Sequence, residues 1–325
     1  MSRALGLISG GLDSSLAAMT LMRQGIEVTG ITFVTPFFNA DKAKAAAKII
    51  GYQLIIENIG DIHLKMVKAP EYGYGRNMNP CIDCHALMFQ LAGEKMAAGG
   101  FDFLFSGEVL GQRPMSQNAN ALKSVANLSG FPDQVLRPLS AKLLPITPME
   151  ESGLIKREQL LDLQGRSRKP QQALAKAWGL HDYPGSGGGC LLTEEGFSNQ
   201  LRDLFNHNPG ATVADVELLK VGRQFRLSET AKLILGRHRA DNEALQQQSR
   251  PEQIKLRSQN FSGPLGLLCG DANPDELEKA AAIVASYGKG KDEVEVDILC
   301  ISAGNESIRR VKPMPRELSR QLLLR

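Results

Sequence analysis

Apolar and polar positions along the first hundred residues switch repeatedly between two periods. Ala4 to Ser9 is a short apolar run that predicts a strand, and Ser14 to Gln24 places Leu16, Ala17, Met19, Leu21 and Met22 at helical spacing. Glu27 to Val34 is rich in β-forming residues, Asp41 to Ile50 reads as a second helix and Gln53 to Asn58 as a third strand. A helix over Cys84 to Ala98 and a strand over Phe101 to Ser106 complete the pattern. Strands and helices alternating at short intervals predict right-handed βαβ units and a doubly wound parallel sheet, an α/β fold. Ligands of such sheets sit at the carboxyl ends of the strands. The turns after Ser9, Val34 and Ser106 are therefore the places to look for chemistry.

From Leu136 the pattern loosens around Pro138, Pro145 and Pro148. Lys156 to Leu163 and Lys169 to Trp178 read as helices, Asp182 to Cys190 as a loop, and Phe197 to Phe205 as a last helix of the first domain. Residues 206–210, with Pro209, read as a linker. Beyond it the texture changes to strands at Arg223 to Leu227, Lys232 to Leu235, Ile254 to Arg257, Leu265 to Leu268 and Val294 to Ile301, with one helix at Pro274 to Tyr287. The expectation is a first domain over residues 1–205 and a smaller α+β domain over 211–325.

Composition narrows the class. The chain has 325 residues, 42% hydrophobic and 22% charged, which is ordinary for a globular protein and removes disordered, collagen-like and coiled-coil readings. Its apolar runs are a handful of residues, against the roughly 20 that a membrane span needs, so no membrane partner is expected. The start, too short for a signal peptide, predicts a cytoplasmic chain. There five cysteines should be thiols, metal ligands or catalysts rather than a disulfide scaffold. A net charge of +3 is silent on nucleic acid until it is read locally: Lys220 to Arg257 holds nine Lys and Arg against four acids, and Arg309 to Arg325 holds six against one. Either an RNA surface or a merely solvated basic face would produce these runs.

The turn between the first strand and first helix reads Ser9-Gly10-Gly11-Leu12-Asp13-Ser14-Ser15. Two glycines let the backbone approach a polyanion, the serines offer hydroxyl donors, and the helix start supplies free N–H groups at a positive dipole end. Asp13 can hold the Mg²⁺ that accompanies a nucleotide. The lysine-bearing GxxxxGK[ST] loop is absent. Further on, Cys81-Ile82-Asp83-Cys84 opens a helix, where the dipole favours thiolates, and Cys190 follows Gly187-Gly188-Gly189. Three thiols suit a [4Fe–4S] cluster with one iron open, or a persulfide pair of Cys81 or Cys84 with Cys190, or, less completely, zinc, for which His85 beside Cys84 is an awkward fourth ligand. Cys269 and Cys300 fall in apolar strand patterns and read as core thiols.

The loop resembles the PP-loop of the ATP pyrophosphatase superfamily, whose members split ATP between the α- and β-phosphates and adenylate a carbonyl oxygen. Three further stretches are similar to the tRNA thiolation branch of that superfamily: Asn79-Pro80-Cys81 with Gly189-Cys190, Ser106-Gly107-Glu108-Val109-Leu110-Gly111-Gln112, and Arg137-Pro138-Leu139. The resemblance runs from Ala4 to Phe205. It implies an adenine nucleotide alpha hydrolase-like fold and an ATP site of Ser9, Gly10, Gly11, Asp13, Ser14 and Ser15, with Phe33, Gly107, Glu108, Gln112, Ser116 and Gln117 around the cleft. It further implies catalytic roles for Asp13, Cys81 and Cys190, Mg²⁺ on Asp13, and a [4Fe–4S] cluster on Cys81, Cys84 and Cys190. Arg137 and Lys142 would face phosphate or RNA. The RNA-binding module that precedes the loop in 4-thiouridine synthetases, and their rhodanese-like domain, are expected to be missing, so that another RNA-binding part and another sulfur source would be required.

In the second domain Val221-Gly222-Arg223-Gln224-Phe225-Arg226 and Leu235-Gly236-Arg237-His238-Arg239-Ala240-Asp241-Asn242 pair basic residues with glycine turns. The second stretch is similar to the signature of the NFACT-R type RNA-binding domain. On that reading Arg223, Arg226, Arg237 and Arg239 are candidate RNA contacts. The expected function is ATP-dependent tRNA thiolation, with tRNA and a sulfur donor (cysteine desulfurase or inorganic sulfide) as partners and a homodimer left open. The rival readings are a PP-loop enzyme acting on a small metabolite and a non-catalytic RNA-binding protein.

Overall fold

The computed structural model describes residues 2–183 and 189–325. They divide into two compact units, Met1–Thr193 and Glu194–Arg325. The first is built from strands β1 (Arg3–Leu7), β2 (Glu27–Val34), β3 (Gln53–Asn58), β4 (Phe103–Ser106) and β5 (Val135–Leu136). Its helices are α1 (Leu12–Met22), α2 (Asp41–Ile50), α3 (Gly60–Lys68), α4 (Cys81–Gly99), α5 (Ala119–Leu128), α6 (Pro148–Glu151) and α7 (Lys169–Ala177). The strands form one sheet in the order β3-β2-β1-β4-β5, every pair parallel.

Side-chain alternation shows why both faces are covered. Ala4, Phe103 and Phe105 point to a core with Leu12, Leu16 and Leu21 of α1, whereas Leu5, Ile31 and Leu104 point to another with Phe89 of α4 and Val125 of α5. The doubly wound sheet expected from the pattern is therefore present. Lys156 to Leu163, in contrast, is not an α-helix: only Arg157–Gln159 makes a single 3-10 turn. Leu161 and Leu163 there donate their amides to the carbonyls of Pro138 and Leu139, so the segment runs extended against the proline-rich stretch.

The second unit has helices α8 (Glu195–His207), α9 (Val213–Leu219), α10 (Arg239–Gln248), α11 (Pro274–Tyr287) and α12 (Arg316–Gln321). Strands β6 (Arg223–Arg226), β7 (Ala231–Leu235), β8 (Ile254–Ser258), β9 (Gly266–Gly270), β10 (Val296–Ser302) and β11 (Asn305–Val311) form an antiparallel sheet in the order β11-β10-β8-β9-β7-β6. Helix α11 packs Ile283 and Val284 on one face with Phe225, Leu256 and Ile298, while Leu245 of α10 and Leu218 of α9 cover Ile234 and Leu267 on the other. This is the expected α+β unit. Helix α8, read as closing the first domain, belongs to it: Asp203 on α8 takes a two-armed pair from Arg226, at 3.0 and 2.6 Å. Among the described residues, no helix is long and apolar enough to cross a membrane.

Candidate nucleotide and thiol site

The loop from Ser9 to Ser15 lies between the carboxyl end of β1 and the start of α1. Gly10 has φ of +75°, and a β-carbon there would stand 2.1 Å from the backbone of Lys42, so the turn admits only glycine. Gly107, after β4, is equally constrained: its β-carbon would lie 2.3 Å from the Ser14 amide nitrogen. The two turns therefore touch backbone to backbone. No side chain caps α1. Ser14 donates its hydroxyl to the Gly11 carbonyl at 3.0 Å and sits 3.3 Å from the Ser9 hydroxyl. Ser15 is buried and donates its amide to the same carbonyl. Uncapped amides at a positive helix end are an anion cradle.

Asp13 faces a small polar network. Its Oδ2 accepts from Gln112 Nε2 at 2.8 Å and from an Arg168 terminal nitrogen at 3.3 Å. Gln112 Oε1 in turn accepts from Gln171 Nε2 at 2.9 Å. Three buried atoms of this network have no partner, Asp13 Oδ1, Arg168 Nε and Gln171 Oε1, and Gln117 Oε1 is buried in the same state. Arg168 and Gln171 escape sequence reasoning because they approach from 155 and 59 residues away. The only local signal is a basic run, Arg166 to Lys169, at a helix start.

Glu108 lies next to Gly107 but serves the protein itself. It is buried, with Oε2 accepting from Arg137 Nε at 2.9 Å and Oε1 standing 2.8 Å from His85 Nδ1. Burial works against its charge, yet Arg137 and His85 outweigh that and hold the carboxyl at about 2. Arg137 also donates to the Leu122 carbonyl at 3.0 Å. The expected RNA contact by Arg137 is thus corrected: it is buried and committed to Glu108. Phe33, expected near the nucleotide, packs its ring into the core with Leu5 and Phe89. Lys142 is exposed on a 3-10 turn. Ser116 is buried.

Cys81 and Cys84 occupy the first turn of α4, and His85 ties that turn to Glu108. Cys190 follows the glycine-rich loop, of which Gly187 and Gly188 lie outside the described residues; Leu191 donates its amide to the Phe37 carbonyl after β2 at 3.0 Å. Asn79 Nδ2 donates to the Cys81 sulfur at 3.2 Å. His63, wholly buried against the rings of Phe37 and Phe38, holds its Nε2 3.2 Å from the Cys84 sulfur. Burial lowers His63 to about 4. The helix dipole does not make Cys84 acidic as expected: burial pushes the thiol up, and the neighbouring charges of Cys190, Cys81 and Asp83 push it further. Among the described residues, no three His, Cys, Asp or Glu side chains are grouped to hold a metal ion.

In the second unit the arginines of the expected RNA surface are unequal. Arg226 is corrected to a structural role by its pair with Asp203. Arg237 pairs with Asp241 at 2.8 Å, and Arg223 lies over the Tyr287 ring at 5.1 Å. Arg239 opens α10 and is 92% exposed. Cys300 is buried in the core as expected. Cys269 accepts from Gln253 Nε2 at 3.3 Å, and burial pushes its thiol up to about 11.

The first unit is thus a parallel sheet carrying this serine, glycine and aspartate turn at its carboxyl end, followed along the chain by a separate antiparallel unit. Residues 1–142 match the family described as thiamine biosynthesis protein (ThiI), and residues 222–322 match the NFACT protein RNA binding domain. Two curated relatives from Staphylococcus aureus, strains MRSA252 and Newman, each described as a probable tRNA sulfurtransferase, are 30% identical over 145 residues. Those matches cover 42% of this chain, which spans about a third (34%) of each relative's length. Among solved structures, a 4-thiouridine synthetase–RNA complex with bound ATP aligns at 18% identity and a TM-score of 0.38, over 55% of this chain and 41% of that one. The C-terminal part of a fibronectin/fibrinogen-binding protein from Streptococcus suis aligns at 14% identity and 0.29, over 48% and 76%.

Proposed function

We propose that this protein is an ATP-dependent tRNA sulfurtransferase that adenylates a uridine carbonyl oxygen and replaces that oxygen with sulfur. The observation that carries the reading is a junction: the Ser9 to Ser15 loop touches Gly107, the adjacent Glu108 holds His85, and His85 follows Cys84. That chain of contacts would bring a phosphate cradle next to the thiols that open α4. ATP would lie along the loop, its phosphates on the α1 amides and on Ser9 and Ser14. Asp13 would hold Mg²⁺, which its partnerless buried Oδ1 fits. The uridine oxygen attacks the α-phosphorus, pyrophosphate leaves, and sulfur then displaces AMP from the activated carbon. The target base has to leave its stack, at a cost of order a few kcal/mol that is least in a loop or bend.

Cys81, Cys84 and Cys190 would hold a [4Fe–4S] cluster. The ligand types suit it, three cysteine thiols with Asn79 donating to Cys81 and His63 beside Cys84, although among the described residues they do not form a group that could hold a metal ion. When bound, the cluster would supply an iron with an open position for sulfide. The sulfur would come from a cysteine desulfurase or inorganic sulfide. The RNA-binding unit would present tRNA through Arg223, Arg237 and Arg239, with Lys142 of the first unit as a further contact, in the cytoplasm and as a monomer or homodimer. Asp13→Ala is expected to abolish pyrophosphate release from ATP in the presence of tRNA, and wild-type release would overturn the mechanism. Anaerobic purification with iron and sulfide assay tests the cluster: a colourless, iron-free protein that still thiolates tRNA replaces it with a persulfide on the same cysteines.

A further inference from the structure

The phosphate loop lacks the lysine that phosphate loops of the GxxxxGK[ST] type carry. A triphosphate nevertheless brings several negative charges to Asp13, which is itself an acid. Arg168 supplies a cation at that point, reaching Asp13 Oδ2 at 3.3 Å from the residue that precedes α7.

The geometry of this pair sets it apart from the chain's structural arginines. Arg226 grips Asp203 with two nitrogens, at 3.0 and 2.6 Å, and Arg137 has its Nε on Glu108 and another nitrogen on a carbonyl. Arg168 makes one long contact and leaves its Nε buried without a partner, while Asp13 leaves Oδ1 in the same state. A guanidinium and a carboxylate that match as a fork would otherwise satisfy both atoms in one bidentate pair. Gln171 is 1% exposed and fully inside the fold, and its side-chain oxygen too lacks a partner. Its amide holds Gln112, which aims its own amide at Asp13. Donors and acceptors are thus held ready without being used on each other.

We propose that Arg168 is the polyphosphate-binding cation of this site and that its contact with Asp13 is the resting arrangement. With magnesium nucleotide, Asp13 turns to the metal and Arg168 moves to oxygens of the β- and γ-phosphates, the part of ATP that leaves as pyrophosphate. This rests on the ATP-dependent reading above. An arginine rather than a lysine suits the task because its planar fork can take two phosphate oxygens while the Nε donor is also satisfied.

The test is calorimetric binding of ATP, pyrophosphate and AMP, each with Mg²⁺, to the full chain and to its Arg168→Met and Arg168→Lys variants. Arg168→Met is expected to weaken ATP and pyrophosphate about 10- to 100-fold while AMP changes by less than about threefold, the loss of one charge-assisted contact. Arg168→Lys keeps the charge and is expected to fall between wild type and Met. If the Met variant does not fold by thermal melting, the Lys variant decides: ATP weakened about three- to tenfold with AMP unchanged supports the assignment. ATP affinity equal to wild type in either folded variant overturns it, as does an equal loss for AMP and pyrophosphate, which would mean a merely structural arginine. A wild-type chain that binds neither ATP nor pyrophosphate overturns the ATP-dependent reading as well.

Discussion

The two units use their charges in opposite ways. In the second, arginines from the most basic stretch of sequence are closed off by carboxylates: Arg226 by Asp203 and Arg250 by Asp215 at 2.7 Å. In the first, a stretch of chain with no charge excess to attract attention assembles a buried Glu108, Arg137 and His85 group and an Asp13 with an unused oxygen. Local charge in the sequence and available charge in the structure are therefore different quantities. A carboxylate nearby in the fold cancels an arginine however basic its neighbours in sequence are, and an acid keeps acceptor capacity where its partners leave it incompletely satisfied.

The largest test of this contrast is Arg137→Ala. Both partners are under a tenth exposed, so the variant leaves a buried carboxylate unpaired and is expected to lose about 3 to 5 kcal/mol in denaturant unfolding. A loss below about 1 kcal/mol would mean that Glu108 finds water or another cation. Acid sensitivity follows with comparable size. Glu108 sits at about 2 against an ordinary 4.5, so its stabilisation is complete above pH 4.5 and is lost as pH falls toward 2. His63 sits at about 4 against 6.5 because burial favours its neutral form. The unfolded chain therefore takes up that proton first, and stability also drops as pH falls from 6.5 to 4. Each window is worth roughly 3 kcal/mol at about 1.4 kcal/mol per pH unit. Melting curves across pH should show both, with Glu108→Gln removing the lower and His63→Leu the upper.

Arg226→Met should cost less, about 1.5 to 3 kcal/mol, because its pair is only partly buried, and it should leave RNA affinity unchanged in the folded protein. Weakened RNA binding without loss of stability would reverse its assignment. Smallest is Arg239→Ala, expected to move stability by less than about 0.5 kcal/mol, since exposed ion pairs contribute little. If Arg239 touches phosphate, the same variant lowers the salt dependence of tRNA binding by about one unit of slope.

Much of the fold was legible in the chain. Strand β2, helix α2, strand β3 and helix α11 have the same limits in pattern and structure, because each has one strong period bounded by a glycine, proline or capping residue. Helix α10 was hidden for an opposite reason: its mean hydropathy is low, with only Leu245 fully buried among its hydrophobic residues, so a Gly-Arg-His-Arg sequence read as a turn. Helices α3 and α5 went unread although their buried faces are built from such residues as Leu64, Val67, Leu122 and Val125. Lys156 to Leu163 misled through spaced leucines whose amides bond the carbonyls of Pro138 and Leu139, far upstream.

Sequence alone determined what depends on neighbours along the chain: the strand, turn and helix around Ser9 to Ser15, the need for glycine at position 10, and two thiols one helical turn apart at Cys81 and Cys84. Tertiary structure decided what depends on partners brought from afar. It put Arg137 on Glu108, His63 on Cys84, and Arg168 and Gln112 on Asp13. Backbone preference acts over a few residues and leaves a local mark. Hydrogen bonding and burial act through space, so whether a charged side chain is spent or available is settled only when the chain has folded around it.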